Sequence, residues 1–228
     1  MSTRPSFDPV ELPVESTGAG LPRLDASRLT ADGLRQRFAE TRVWTPEPPV
    51  DLSGRFSGDP RKASVLIPLV DRADGLTVLL TERSPDLSNH AGQIAFPGGR
   101  QEAFDVDAVA TALREAEEEV GLALDRVEVL GVLPEFVTGT GFAVTPVAAL
   151  VHPPFELTID PSEVAEAFEV PLAFLMNPAN HETRSFRWEG GARTFFSMPY
   201  PRADGAGAHF VWGATAAMLR NLYHFLAA

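Results

Sequence analysis

The segment Arg114-Glu115-Ala116-Glu117-Glu118-Glu119-Val120-Gly121-Leu122 constrains this chain more than any other, because it crowds four glutamates into five positions just before a glycine. Read as a helix turning about 100° per residue, it places Glu115, Glu118 and Glu119 (i, i+3, i+4) on one stripe. Val109, Leu113, Ala116 and Val120 form another stripe, and Glu117 stands apart, facing solvent. Like charges at i,i+4 cost some tenths of a kcal/mol each. The C-terminal end of a helix also disfavours anions. Local stability therefore opposes this arrangement twice, and a cation with oxygen ligands removes both objections. Mg²⁺ and Mn²⁺ suit such a donor set, completing their shells with water and substrate phosphate. An isolated glutamate run is more often a solvated helix face. Here the run lies between the strand-ending Pro97-Gly98-Gly99 and the helix-ending Gly121, with an arginine in front and an apolar stripe behind.

Composition narrows the setting. A chain of 228 residues is long enough for one well-buried core and short for two full domains. With no cysteine, disulfides and thiolate metal sites are excluded, so any metal must be held by oxygen or imidazole. The net charge of −12 argues against nucleic acid as a partner, since that binding relies on Lys and Arg facing phosphates. If the substrate is itself anionic, a bound divalent cation resolves the repulsion. No apolar run reaches the length of a membrane span, so no membrane partner is expected. The first residues lack the charged-then-apolar pattern of a secretion signal, and the expected compartment is the cytoplasm.

Along the chain, residues 1–23 carry Pro5, Pro9, Pro13, Pro22, Gly18 and Gly20 and read as an extended arm. Residues 29–40 form a short helix, ended by Pro46, Pro48 and Pro49. The expected division is residues 1–50 as arm and short helix packed on a domain formed by residues 51–228. Within the latter, Ala63–Val70 and Leu76–Thr81 are strands joined by a hairpin turn at Asp74-Gly75. Gln93–Phe96 is a third strand, residues 106–120 a helix with Gly121 as its C′ residue, and Val127–Leu133 and Ala143–Val151 further strands. Residues 163–176 read as mixed helix and turn. Gly190-Gly191 sits between two hairpin strands, and Ala214–Leu226 is an amphipathic helix. Strands with a central and a terminal helix predict a mixed sheet between helical layers.

The acidic segment resembles the Nudix box: Gly, five residues, Glu, seven residues, then Arg-Glu-apolar-x-Glu-Glu-x-Gly-apolar. Its second half matches from Arg114 to Leu122. In the first half the Glu position falls on Asp105, and eight residues rather than seven separate it from Arg114, which is a one-residue insertion. That longer spacing is similar to the coenzyme A pyrophosphatase branch. So are Leu79-Leu80-Thr81-Glu82-Arg83-Ser84 and Gly92-Gln93-Ile94-Ala95-Phe96-Pro97-Gly98-Gly99, although Ile94 replaces a Val and Ser88 stands where a second Arg is expected. The stretches Thr138–Val147, Glu163–Leu172 and Val211–Ala216 resemble the same branch, so the likeness covers about residues 60–220.

The resemblance implies an α/β (α+β) fold of Nudix type, an α/β/α sandwich with a mixed central sheet. It implies hydrolysis of a pyrophosphate bond in a small nucleotide-containing substrate, coenzyme A or a derivative, giving 3′,5′-ADP and 4′-phosphopantetheine. Another nucleoside diphosphate linked to X, such as ADP-ribose or NADH, is the alternative; a non-catalytic nucleotide-sensing module is a third. Glu115, Glu118 and Glu119 supply the metal site for Mg²⁺ or Mn²⁺, with the Gly99 carbonyl as a further ligand. Arg114 orients a box carboxylate. Glu115 is one candidate general base, and Glu163 or Glu166 another. Arg83, a fork-shaped donor, contacts phosphate, and Gly98, Thr138 and Thr140 line the substrate pocket. His90 reads as a polar loop residue. His152, His181, His209 and His224 lack metal-ligand spacing. Trp188, Trp212 and Tyr200 are candidates to stack on adenine, with core packing the simpler role for Trp212.

Overall fold

The computed structural model describes residues 7–47, 58–87, 89–189 and 191–228. In chain order the strands are β1 (Val14–Thr17), β2 (Arg61–Arg72), β3 (Gly75–Arg83), β4 (Ile94–Ala95), β5 (Gly98–Arg100), β6 (Val127–Val132), β7 (Phe136–Val137), β8 (Phe142–Val151), β9 (Val164–Pro171), β10 (Glu182–Trp188), β11 (Gly191–Pro201) and β12 (Ala208–Trp212). The helices are α1 (Ala31–Ala39), α2 (Ala108–Val120), α3 (Leu172–Leu175) and α4 (Gly213–Ala227).

The central sheet is mixed, as the sequence predicts. β2 runs parallel to β8 from Arg61↔Phe142 to Val70↔Val151, whereas β3 and β5 pair with β2 antiparallel. Successive strand side chains face opposite ways, and the core divides accordingly. Leu66 and Val70 of β2 join Val147, Ala149 and Val151 of β8 beneath Ala112, Ala116 and Val120 of α2. Ile67 and Leu69, with Ala148 and Leu150, face the other way and meet Leu34 of α1 and Leu219, Leu222 and Leu226 of α4. The sheet is thus covered by α2 on one face and by α1 and α4 on the other.

A second sheet of four antiparallel strands, in the order β1-β10-β11-β12, packs beside the first. It draws in the N-terminal arm. β1 pairs with β10, Phe7 stacks on Phe186 at 4.3 Å, and the Arg184 guanidinium donates to the Val10 and Leu12 carbonyls. The arm is therefore partly a strand. The expected boundary at residues 50 and 51 falls within 48–57, outside the described residues, as does Ser88.

Two expectations are corrected. Residues 163–176 are mostly strand: β9 pairs with β3 from Thr77↔Pro171 to Arg83↔Val164, and only Leu172–Leu175 is helical. The Ala- and Glu-rich run Ala165-Glu166-Ala167 favours helix locally, but the open edge of β3 and the burial of Val164 and Val170 override that preference. The hairpin between β2 and β3 closes at Arg72↔Gly75, so the turn is carried by Ala73-Asp74 rather than Asp74-Gly75. The expected third strand shrinks to Ile94–Ala95, and the Gly190 hairpin pairs down to Trp188↔Gly191.

Candidate active site

Helix α2 starts where Asp107 caps it, accepting a hydrogen bond from the Ala110 N–H at 2.8 Å, and stops at Gly121 in the left-handed conformation. Its last carbonyls are not left open: Glu119 O accepts from Asp160 N–H and Val120 O from Thr158 N–H, each at 2.9 Å. These bonds satisfy the helix end that the glutamates would otherwise burden. Its apolar stripe lies on β2 and β8, which turns the neighbouring acidic stripe toward β5.

The three box glutamates separate into two roles. Glu119 is nearly fully buried, with 3% of its side chain exposed. Its Oε2 accepts from the Gly98 N–H at 3.1 Å, and its Oε1 stands 3.7 Å from Arg83 Nη1. Burial pushes this carboxyl up to about 7, against the pull of the Gly98 N–H and Arg83. Glu115 is half-buried, and its carboxyl is also raised by burial, with Arg114 pulling it down and Glu118 and Glu163 pushing it up. It lies across β5 so closely that a Cβ on Gly99 would stand 2.5 Å from its carboxyl carbon. Gly99 is therefore glycine because a carboxylate occupies the space of its side chain. Glu118, by contrast, has 60% of its side chain exposed and accepts from Arg114 Nη1 at 2.8 Å. Glu117 is exposed, as the helical spacing predicts.

Arg114 has its donors engaged. Nε and Nη2 grip Asp105 at 3.0 and 2.9 Å, Nη2 also reaches the Arg100 carbonyl, and Nη1 meets Glu115 at 3.0 Å and Glu118. The fork of Arg114 holds the Asp105 carboxyl well below the usual range, helped by the Glu102 N–H and the Thr111 hydroxyl. Arg114 thus ties Glu115 and Glu118 of the box to Asp105. Asp105, to which the sequence reading assigned no role beyond its odd spacing, is its anchor.

Glu163 lies in the turn that leads into β9, exposed, with its carbonyl accepting from Ser84 N–H at 2.8 Å. Its charge helps to raise the carboxyls of both Glu115 and Glu119, so it lies within electrostatic reach of both. Glu166, the other distant candidate, sits on β9 and binds Arg202 at 2.9 Å. Thr138 and Thr140 belong to the β7–β8 turn. Their hydroxyls bond each other at 3.0 Å, and Thr138 Oγ1 accepts from Phe142 N–H, which is the work of a turn. His90 is exposed and bonds Gln93. Trp188 stacks on Phe186, Tyr200 packs against Phe174, and Trp212 packs among Phe7, Phe195 and Phe210.

One histidine joins an acidic cluster formed only in space. Among the described residues, Glu82, Glu166 and His209 bring metal-type ligand atoms within 4.8 Å of one another, although nothing in their sequence spacing announces it. Arg202 already spans the two carboxylates, so the cation of that cluster is a guanidinium.

The box site fits a hard divalent cation by different evidence. The Glu115 and Glu119 carboxylates are withdrawn from solvent with a third acid in electrostatic reach, they offer only oxygen, and the nearest cationic groups do not offset their burial. Glu115 and Glu119, with the Gly99 carbonyl, are the groups that would hold it.

Residues 60–189 match the NUDIX domain. The chain is 38% identical to a protein named "Uncharacterized Nudix hydrolase NudL" from Citrobacter koseri, over 87% of this chain and 96% of that one. It is equally similar to the protein of that name from Klebsiella pneumoniae subsp. pneumoniae, over 85% and 93%. Among solved structures, the M. smegmatis Nudix hydrolase RenU is 25% identical with a TM-score of 0.43, over 51% of this chain and 73% of that one. A C. elegans Ap4A hydrolase binary complex is 17% identical with a TM-score of 0.44, over 51% and 85%. By the domain match and by its relatives of similar length, the chain belongs to the Nudix hydrolase family.

Proposed function

We propose that this enzyme hydrolyses the pyrophosphate bond of coenzyme A or its derivatives with Mg²⁺ or Mn²⁺, releasing 3′,5′-ADP and 4′-phosphopantetheine. The observation that carries the reading is the approach of Arg83 to Glu119 at 3.7 Å. Arg83 comes from the Leu79–Ser84 segment that resembles the coenzyme A branch, and Glu119 from the box. Their meeting supports a reading in which Arg83 is a phosphate-binding fork beside a carboxylate that would hold the cation.

Glu115 and Glu119 would hold the cation, with the Gly99 carbonyl beside them and Glu118 at the rim. When bound, the cation neutralises diphosphate oxygens and lowers the pKa of a nearby water. Arg83 binds a non-bridging phosphate oxygen. Glu163 takes the proton from the attacking water as its oxygen bonds to one phosphorus and the bridging P–O bond breaks. Arg114, held by Asp105, keeps Glu115 aimed. Gly98 lets β5 close on β2, whose Ser64 carbonyl and Val65 fill the place of a side chain, and turns its N–H to Glu119 at the edge of the substrate pocket; the Thr138–Thr140 turn borders the pocket. The substrate is a small nucleotide rather than a nucleic acid, and the enzyme works in the cytoplasm, on residues 51–228 with the arm packed against them.

A substrate panel with Mg²⁺ and with Mn²⁺ tests the reading. Coenzyme A should turn over faster than ADP-ribose or NADH. Faster turnover of either of those two would replace coenzyme A with a different nucleoside diphosphate derivative.

A further inference from the structure

Glu82 and Glu166 are direct partners across the β3–β9 ladder. Like charges in that position destabilise a strand pair. The next pair is Arg83↔Val164, so the ladder skips Ala165 at this point and then continues as Ser84 N–H to Glu163 O. The ends of the two strands that carry Arg83 and Glu163 are thus joined at a bulge flanked by two facing carboxylates.

Arg202, at the end of β11 in the second sheet, spans them. Its Nη1 donates to Glu166 Oε2 at 2.9 Å and its Nη2 to Glu82 Oε2 at 2.5 Å. The opposing charges of Glu82 and Glu166 lift the guanidinium above its ordinary range. His209 of β12, nearly fully buried, stacks on Phe168 of β9 at 3.6 Å and sets its Nε2 3.9 Å from Glu166 Oε1. Glu82 and Arg202 also form the charged part of a cavity of about 370 Å³ whose other walls include Gln93, Phe210 and Trp212.

Glu82 and Arg83 are consecutive on β3 and face opposite sides of the sheet. Fixing Glu82 from the side of the second sheet therefore fixes the direction of Arg83 on the side of α2. We propose that Arg202 is a positioning residue for the hydrolytic site: by neutralising the Glu82–Glu166 pair it holds the β3–β9 bulge closed and so keeps Arg83 and Glu163 in catalytic register. The inference rests on the functional reading of those two residues. It gives the second sheet a part in the chemistry without contact with substrate.

The test uses the full chain with Mn²⁺ and coenzyme A, or ADP-ribose if the panel selects it. A displacement of the order of an ångström at a reacting group costs up to about 100-fold in rate, so R202M should lower kcat at least about ten-fold while KM moves less. R202K should recover part of the loss. The decisive variant is E82Q/E166Q/R202M, which removes the repulsion along with the arginine and should turn over several-fold faster than R202M. R83A and E163Q are measured in parallel. R202M within about two-fold of wild type, or a triple variant no better than R202M, overturns the inference while leaving the functional reading intact. Wild-type turnover in both R83A and E163Q overturns that reading and the inference with it. Thermal unfolding of each variant confirms that turnover is read on folded protein.

Discussion

Arg114 grips Asp105 with two parallel hydrogen bonds, Nε to Oδ1 at 3.0 Å and Nη2 to Oδ2 at 2.9 Å, and spends its remaining amino group on Glu115 and Glu118. A bidentate pair of this kind fixes a plane as well as a position. The irregular spacing between Gly99 and the box thus ends on a carboxylate that reaches the same arginine the helix presents. Replacing either partner should have the same consequence. R114A and D105A should each lower kcat/KM, and the double variant should be little worse than either single one, because both remove one interaction. R114K should resemble R114A, since an ammonium cannot hold Asp105 with a fork. Additive losses in steady-state kinetics would mean that the two residues act separately.

Gly99→Ala is the most local test of the cation site. The new methyl would stand 2.5 Å from the Glu115 carboxyl carbon, so that side chain must move. The backbone at Gly99 needs no left-handed conformation, and the fold should tolerate alanine. A Mn²⁺ titration by calorimetry should show affinity weakened by about ten-fold or more, the scale of losing a well-placed ligand or its support. The unfolding midpoint should shift little. Unchanged Mn²⁺ affinity would place the cation away from Glu115.

His181 gives a pH dependence with a defined sign. It is fully buried, with Nε2 2.6 Å from the Leu175 carbonyl and Nδ1 3.4 Å from Arg220 Nη1. Those partners require Nε2 to donate and Nδ1 to accept, which is the neutral ring. Burial lowers its pKa to about 4 from 6.5, against the pull of the Leu175 carbonyl. The unfolded chain therefore binds the extra proton first, and stability declines as pH falls from about 6.5 toward 4. His209, lowered mainly by burial, acts in the same direction. Glu47, held down at about 2 chiefly by His224 and also by Arg220, loses its contribution only below 4.5. Over the same range Glu119, pushed up to about 7, acts in the opposite sense in both proteins, so the readout is a difference: in urea unfolding from pH 7 to pH 4, H181Q should lose about 3 kcal/mol less stability than wild type. An equal slope in H181Q would contradict the assignment.

The core makes a simpler prediction. Leu79 is 1% exposed and packs on the α2 side of the sheet with Leu66, Val147 and Val120. Leu79→Ala should cost about 2–5 kcal/mol in denaturant unfolding. It should also depress activity, because the same packing seats α2. A loss under 1 kcal/mol would mean that this face of the sheet repacks freely.

What was legible in the sequence follows from the range of the interactions involved. Helix α2, its start and stop, the inward turn of Glu115 and Glu119 and the outward turn of Glu117 all follow from 3.6-residue periodicity and local capping. The same spacing groups Glu118 with the other two, yet Glu118 swings out to Arg114, because a rim position leaves a choice that periodicity does not decide. Strand β9 was hidden because its Ala and Glu residues favour helix, and only the edge of β3, more than eighty residues earlier, makes it a strand. The β1-β10-β11-β12 sheet was seen only as one hairpin, since β1 and β12 are short and take their partners from far away. The cluster of Glu82, Glu166, Arg202 and His209 has no spacing signal, since its members come from β3, β9 and the β11–β12 hairpin.

The most direct test is a discontinuous assay of coenzyme A hydrolysis in which products are resolved by chromatography. Wild-type protein and E119Q are compared, each with Mn²⁺ and each with chelator. Wild type with Mn²⁺ should give 3′,5′-ADP and 4′-phosphopantetheine in equal amounts. Chelator should abolish the reaction, and E119Q should lose at least about 100-fold, as expected for a residue holding the cation at the reacting diphosphate. Equal turnover by E119Q and wild type, or cleavage that persists in chelator, would contradict a buried glutamate pair acting through a divalent cation.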